Sequence, residues 1–342
     1  MTYLTLSIDG MSGDFGPKVI VPAIIQSLKL NPKFIVFLIG DCNIINSLIN
    51  KEDYHLLKRL KLIQSNTVLS SDISLSEAIF NSKGSSMRIA LELVRDGKAQ
   101  ACVSAGNTAI LLGLSKLLIK PLKGIHRPAL ATILPAIIGN IIILDLGANI
   151  ISDTKMLVQF AIMGSIMAET VLNISYPRVA LLNVGNEEKK GLANIRNASK
   201  ILKNLSNINY IGYIEGNDIF AKKTDVVVCD GFVGNITLKT IEGISQIFFT
   251  FIKNSKSLMP YEFNFLESLT RKKIISNFSC FNTDQYNGAY LLGLNKPVIK
   301  SHGSANQKAF AIAIKYAAKS ILFKIPEKIS NKIYKANIPY LG

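Results

Sequence analysis

The side chains with chemistry to offer are gathered in short polar words. Asp9, Gly13 and Asp14 fall in DGMSGDFGP, and Ser104, Gly106, Asn107 and Thr108 in SAGNT. Lys190 closes NEEKK, Asp230, Gly234 and Asn235 lie in CDGFVGN, and Ser301, His302, Gly303 and Ser304 form SHGS. Small hydroxyl, amide and glycine residues just before a helix leave backbone N–H groups open to an anion. One lysine pair and one histidine add positive charge and a proton carrier. This is equipment for an oxyanion such as phosphate. Asp9 and Asp14 are read as shaping the first loop by accepting its amides, because two carboxylates beside a bound phosphate would repel it unless paired. Cys229 ends an apolar run with no histidine near it in sequence, so it reads as a packed thiol and not as a nucleophile.

Other chemistries lack their motifs. There is no GxGxxG for a dinucleotide, no GxxxxGK[ST] for a nucleotide and no GxSxG for a serine hydrolase. Cys42, Cys102, Cys229 and Cys280 show neither CxxC spacing nor a zinc pattern with His55, His126 and His302, so no metal site is expected and the thiols read as reduced, in a cytosolic protein.

The words are positioned by a repeated strand, glycine loop, helix order. In Asp225 to Thr240 a β-branched strand, Val226 to Val228, leads into a turn from Cys229 to Asn235, and apolar residues at helical spacing follow from Ile236 to Ile252. Similar strands are predicted at Leu4 to Ile8, Phe34 to Ile39, Ala101 to Val103, Ala129 to Leu134, Ile141 to Leu144, Val179 to Leu182, Tyr210 to Ile214 and Val298 to Lys300. Helices are predicted between them, among them Pro17 to Leu30, Gly84 to Arg95, Thr154 to Leu172 and Ala305 to Phe323. The order predicts a doubly wound α/β sheet with its ligand at the carboxyl ends of the strands. Residues 1–342 read as a single α/β domain or two interleaved subdomains, with a helical segment of mixed apolar and basic residues around 244–280.

The formal charge of +16 suits an acidic partner, an acidic carrier protein or an anionic bilayer surface. Lysines greatly outnumber arginines and are dispersed, which argues against nucleic acid. MTYLTLSIDG has no basic head or long apolar core, and Ala129 to Leu146 and Ile244 to Ile252 are broken or too short to span, so membrane contact is expected to be peripheral only. Arg271, Lys272 and Lys273, beside the apolar residues of 258 to 269, suit such contact, or else edge a dimer-interface helix.

DGMSGDFGP, SAGNT, RPALATILP, LDLGAN, ALLNVGNEEKKG, DVVVCDGFVGNITLKT and LLGLNKPVIKSHGS, in that order over roughly residues 3 to 316, resemble the motif series of the bacterial phosphate acyltransferase (PlsX) family. The resemblance implies a homodimeric three-layer α/β/α fold akin to phosphotransacetylase and the isocitrate/isopropylmalate dehydrogenase-like group. It implies transfer of a long-chain acyl group from acyl carrier protein to inorganic phosphate, giving acyl phosphate for phospholipid synthesis, without metal or organic cofactor. By position in the family words, Lys190 and Asn235 act directly: Lys190 as charge for phosphate or the departing thiolate, Asn235 as a ligand of phosphate or of the oxyanion. Implied surroundings are the cytoplasm, the inner face of the cytoplasmic membrane and a downstream membrane glycerol-phosphate acyltransferase. The chain departs from the pattern at Ser12 and Phe15, usually Gly and His, at Ile151, commonly Asp, and at Asn287, usually Gly. Rival readings are a short-chain phosphotransacetylase using coenzyme A, and a basic membrane-binding scaffold that has lost activity.

Overall fold

Aliphatic runs without charge form strands buried on both faces, and the helices between them present one apolar stripe to the sheet. The structure, a computed structural model, describes residues 3–69, 73–254 and 286–336. The strands are β1 (Leu4–Asp9), β2 (Phe34–Gly40), β3 (Leu60–Gln64), β4 (Ala101–Ser104), β5 (Ala129–Pro135), β6 (Asn140–Leu144), β7 (Arg178–Leu182), β8 (Asn209–Ile214), β9 (Val226–Val228), β10 (Ala289–Leu292) and β11 (Val298–Lys300). The α-helices are α1 (Pro17–Leu30), α2 (Cys42–Ser47), α3 (Leu75–Phe80), α4 (Ser86–Arg95), α5 (Thr108–Leu118), α6 (Thr154–Val171), α7 (Ala193–Lys203), α8 (Gly231–Asn254), α9 (Gln307–Leu322) and α10 (Ile325–Ala336).

One eleven-stranded sheet runs through the molecule in the order β3-β2-β1-β4-β11-β10-β5-β6-β9-β7-β8. Two apolar layers cover it. Leu6, Val103, Ile133, Leu144 and Val228 meet α1, α6, α9 and α10 on one face, while Cys102, Leu130, Ile143 and Val227 meet α4 and α5 on the other. The layers give the expected three-layer α/β/α fold.

The sheet is not wholly parallel, and this changes where a ligand can sit. β10 is antiparallel to both β11 and β5, and β5 is antiparallel to β6. The remaining neighbours are parallel. The carboxyl ends of β1, β4 and β11 therefore lie at one edge of the sheet, and those of β6, β9 and β7 at the other. The single carboxyl edge expected from the repeated strand-loop-helix order is replaced by two, with β10 and β5 between them.

The turn expected from Cys229 to Asn235 is also corrected: α8 begins at Gly231, with Asp230 Oδ1 accepting the Val233 N–H at 2.9 Å as its cap. The two glycines serve contact, not a turn. A Cβ on Gly231 would lie 2.4 Å from the Asn149 carbonyl oxygen, and one on Gly234 only 1.8 Å from that of Asp145. Strand β10 and helices α2, α3 and α10 were not anticipated. Among the described residues no helix is long and apolar enough to cross a membrane. The expected segment 244–280 enters the described residues only up to Asn254, and Arg271, Lys272, Lys273 and Cys280 lie outside them.

Candidate active site

A cavity of about 950 Å³ lies on the α5/α8 face of the sheet, between the two carboxyl edges. Strand alternation supplies its floor: Leu130, Thr132 and Leu134 of β5 face it, while Ala131 and Ile133 face the opposite core. Helix α8 borders it with Asn235, Ile236 and Lys239. Loops after β1, β4 and β11 close one end, and loops after β6 and β9 the other.

Of the expected site residues, Gly13, Asp14, Gly106, Asn107, Thr108, Asn235, His302, Gly303 and Ser304 line this cavity. Asp9, Ser104 and Ser301 are buried just behind it. Asp9 is wholly buried, and its Oδ2 accepts from Ser12 Oγ at 2.5 Å and from Ser104 Oγ at 2.7 Å. It therefore ties the first loop to the end of β4, the shaping role expected of it, though through hydroxyls more than amides. Ser12, a departure from the family pattern, is one of those hydroxyls. Asp14 donates its N–H to the Gly303 carbonyl at 2.9 Å, joining the first loop to SHGS. Asn107 caps α5 by accepting from Ala109 and Ile110 N–H. Asp230 and Gly234 are absorbed into the start of α8.

His302 has its Nδ1 2.8 Å from Ser304 Oγ and its Nε2 3.4 Å from Lys239 Nζ, and Lys239 pairs with Glu242 at 2.8 Å. Burial, with Lys239 and Lys300, lowers the His302 pKa against the opposing pull of Glu242 and Asp14. Asn287, another departure, is the clamp of this loop. Its carbonyl accepts from His302 N at 2.8 Å, and its amide donates to Ser301 Oγ and the Ala309 carbonyl, each at 2.8 Å. The other two departures, Phe15 and Ile151, are exposed.

At the opposite end, Asn235 lies over Gly147, whose φ of +115° is a backbone conformation that favours glycine. Asp145 holds that loop: its carboxylate accepts from the N–H groups of Leu130, Ala148 and Asn149 and from Asn149 Nδ2, at 2.8–3.0 Å. Burial raises its pKa, opposed by these donors.

Lys190 is not among the residues lining the cavity. It sits in the loop after β7, half-exposed, paired with Glu187 at 2.7 Å. The pair raises the Lys190 pKa. Asn183 fastens this loop by donating to the carbonyls of Gly185 and Lys190, each at 3.1 Å. Because β7 neighbours β9, the Lys190 loop and the start of α8 leave the sheet side by side, at the same edge. The structure thus brings Asn235 and the SHGS loop to one cavity and leaves Lys190 on the surface of the adjoining loop.

Cys229 is buried at the end of β9, and burial with the nearby Asp145 and Asp230 pushes its thiol pKa well up, as a packed thiol requires. Among the described residues no cluster of His, Cys, Asp or Glu is arranged to hold a metal. Sequence reading missed Lys300, Lys239, Glu242 and Thr132, all on the cavity wall. Lys300 directly precedes SHGS, which was its one available signal.

A family model described as "Fatty acid synthesis protein" matches residues 4–327. Among solved structures, the chain is similar to a phosphotransacetylase from Streptococcus pyogenes, at 17% identity over 95% of this chain and 94% of that one, with a TM-score of 0.62. The EutD phosphotransacetylase from Staphylococcus aureus matches at 15% identity over 93% and 94%, with a TM-score of 0.60. A branched-chain phosphotransacylase from Enterococcus faecalis V583 matches at 16% over 93% and 99%, with a TM-score of 0.56. At these identities the likeness establishes the fold.

Proposed function

Because the chain belongs to the fatty acid synthesis protein family, the PlsX family, we propose that it transfers a long-chain fatty acyl group from acyl carrier protein to inorganic phosphate. The observation that carries this reading is the cavity itself, which sets apolar groups, Leu130 and Leu134 of β5 and Phe232, Ile236, Leu238 and Ile241 of α8, beside polar groups of the bordering loops and of α8. Its volume falls at the upper end of the range of about 300–1,000 Å³ for ligand pockets, with room for an extended acyl chain as well as a small anion. Sharing a fold with proteins named phosphotransacetylase and branched-chain phosphotransacylase supports acyl transfer to phosphate.

A phosphate oxygen attacks the thioester carbonyl carbon, the carbonyl π pair moves onto oxygen, and collapse of the tetrahedral intermediate expels the phosphopantetheine thiolate. The products are acyl phosphate and free carrier. The Asn235 amide, exposed to the cavity and held over Gly147, donates to the developing oxyanion. Lys190 meets the departing thiolate from the mouth, exchanging its Glu187 partner for that charge. The basic surface, of net charge +16, receives the acidic carrier. Assembly as a homodimer and peripheral contact with an anionic membrane, where a glycerol-phosphate acyltransferase consumes the product, complete the proposal.

The test is acyl phosphate formation by the purified protein from palmitoyl carrier protein and phosphate, with acetyl coenzyme A in parallel. Turnover of the carrier substrate supports the proposal. Turnover of acetyl coenzyme A alone replaces it with a short-chain phosphotransacetylase, and turnover of neither leaves a scaffold.

A further inference from the structure

The sheet carries a polar row across the cavity floor. Lys300 of β11 stands opposite Ser104 of β4 on one side and Ala289 of β10 on the other. Tyr290 of β10 pairs with Ala131 of β5, which sets Ala289 level with Thr132. Ile8 of β1 pairs with Val103, which sets Asp9 level with Ser104. Residues directly opposite across strands share a face, so Asp9, Ser104, Lys300, Ala289 and Thr132 form one line. Lys300, Ala289 and Thr132 open onto the cavity.

Two members of this line lack a protein partner suited to them. Lys300 donates to the carbonyl of Ser301 but forms no ion pair among the described residues. Thr132 is 5% exposed, yet its hydroxyl makes no hydrogen bond among the described residues. Leu130 and Leu134 flank it on the same face, and their side chains offer no hydrogen-bonding group. In this row the residue between the lysine and the threonine is Ala289, whose side chain is a methyl group. Their backbones are two strand spacings apart, about 10 Å, and the low side chain between them leaves a recess with a cation at one wall and a hydroxyl at the other.

We propose that Lys300 and the Thr132 hydroxyl, on either side of Ala289, form the seat of the inorganic phosphate that accepts the acyl group. The identity of the anion rests on the acyltransferase reading above. Phosphate oxygens accept a charge-assisted hydrogen bond from the ammonium and a second one from the hydroxyl, which gives the lysine a counter-charge and the threonine a partner. The seat lies along the floor from the SHGS loop, at the opposite end from Asn235, and the acyl carbonyl meets the phosphate between them.

The surroundings of Lys300 give the seat a pH signature. It faces Asp9 at the end of β1, Asp14 and His302 in the loops after β1 and β11, and Lys239 of α8 with its partner Glu242. Burial and then Lys239 bring its pKa down to about 8, against the opposing pull of Asp14 and Asp9. A bound anion relieves the repulsion between the two lysines, so phosphate binding is strongest where Lys300 is charged and weakens as pH rises through about 8.

The experiment is calorimetric titration of inorganic phosphate into the wild type and into Lys300→Met, Thr132→Val and Thr132→Ser, between pH 7 and 9. Lys300→Met is expected to weaken binding at least about tenfold and to abolish the decline above pH 8. Thr132→Val, which exchanges a hydroxyl for a methyl in a strand without changing its β-branched shape, weakens it about tenfold, and Thr132→Ser restores it. Because the valine variant preserves packing, it decides the matter even where the methionine variant does not fold. Wild-type affinity in the folded variants, or no phosphate binding by the wild type, overturns the seat. Run beside the acyl phosphate assay, phosphate bound through these residues without acyl phosphate overturns the functional reading and keeps the seat. Acyl phosphate formed with an unchanged phosphate KM in both variants does the reverse.

Discussion

Gly234 lies against the carbonyl oxygen of Asp145 so closely that a Cβ at position 234 would stand 1.8 Å from it. The first turn of α8 is therefore seated directly on the loop after β6, and this contact sets where Asn235 enters the cavity. Gly234→Ala is expected to cost about 3 kcal/mol, the upper part of the range for overpacking, read as a lower urea midpoint. Activity falls with it, since α8 must lift away from Gly147.

Asn235→Ala removes an exposed side chain with no packing role beyond Gly147, so the fold is expected to be unaffected. If the amide serves the oxyanion, kcat falls about 10²- to 10³-fold while the phosphate KM stays within about twofold. Circular dichroism and steady-state kinetics on the same preparation check both halves.

Asn287→Gly returns the residue usual in the family and is nevertheless expected to be damaging. It frees the His302 N–H, the Ser301 hydroxyl and the Ala309 carbonyl from their shared partner. Loss of these buried hydrogen bonds is expected to cost about 1–3 kcal/mol, seen in thermal melts. The SHGS loop loosens as well, which raises the phosphate KM.

Asp225 joins the starts of β7 and β9, accepting from the Arg178 backbone at 2.9 Å, from its guanidinium at 3.0 and 3.1 Å, and from Lys222 at 2.8 Å. Burial alone would raise this carboxyl, but the hydrogen bonds from Arg178 and Lys222 outweigh it and hold its pKa near about 2, below the ordinary 3.8. A carboxylate whose pKa is depressed on folding contributes stability above its unfolded value and loses it as pH falls through the folded one. The contribution is thus complete above about pH 4 and is lost between about pH 4 and 2. Asp225→Asn is expected to cost about 3 kcal/mol at pH 7, at the low end for a broken buried pair because Arg178 rehydrates. Urea midpoints from pH 7 to 2 check this, the variant converging on the wild type at the acid end.

Local pattern alone was enough for much of this molecule. Apolar runs such as Val226–Val228 and glycine-bearing polar loops such as SAGNT and SHGS mark their elements through hydrophobic period and turn chemistry, which act over a few residues. The layered α/β architecture follows from them. Strand direction does not. Nothing local in ALATILP or AYLL states that β5 and β10 oppose each other and β10 opposes β11, because sheet order is decided by which distant strands pair. That pairing moved the cavity from a carboxyl edge onto the face of β5, turned Gly231 and Gly234 into contact points and left Lys190 on a neighbouring loop. It also placed Lys300 and Thr132 in one row. In sequence they are a strand-end lysine and a threonine among leucines. Only the register of β11, β10 and β5 sets them on either side of Ala289.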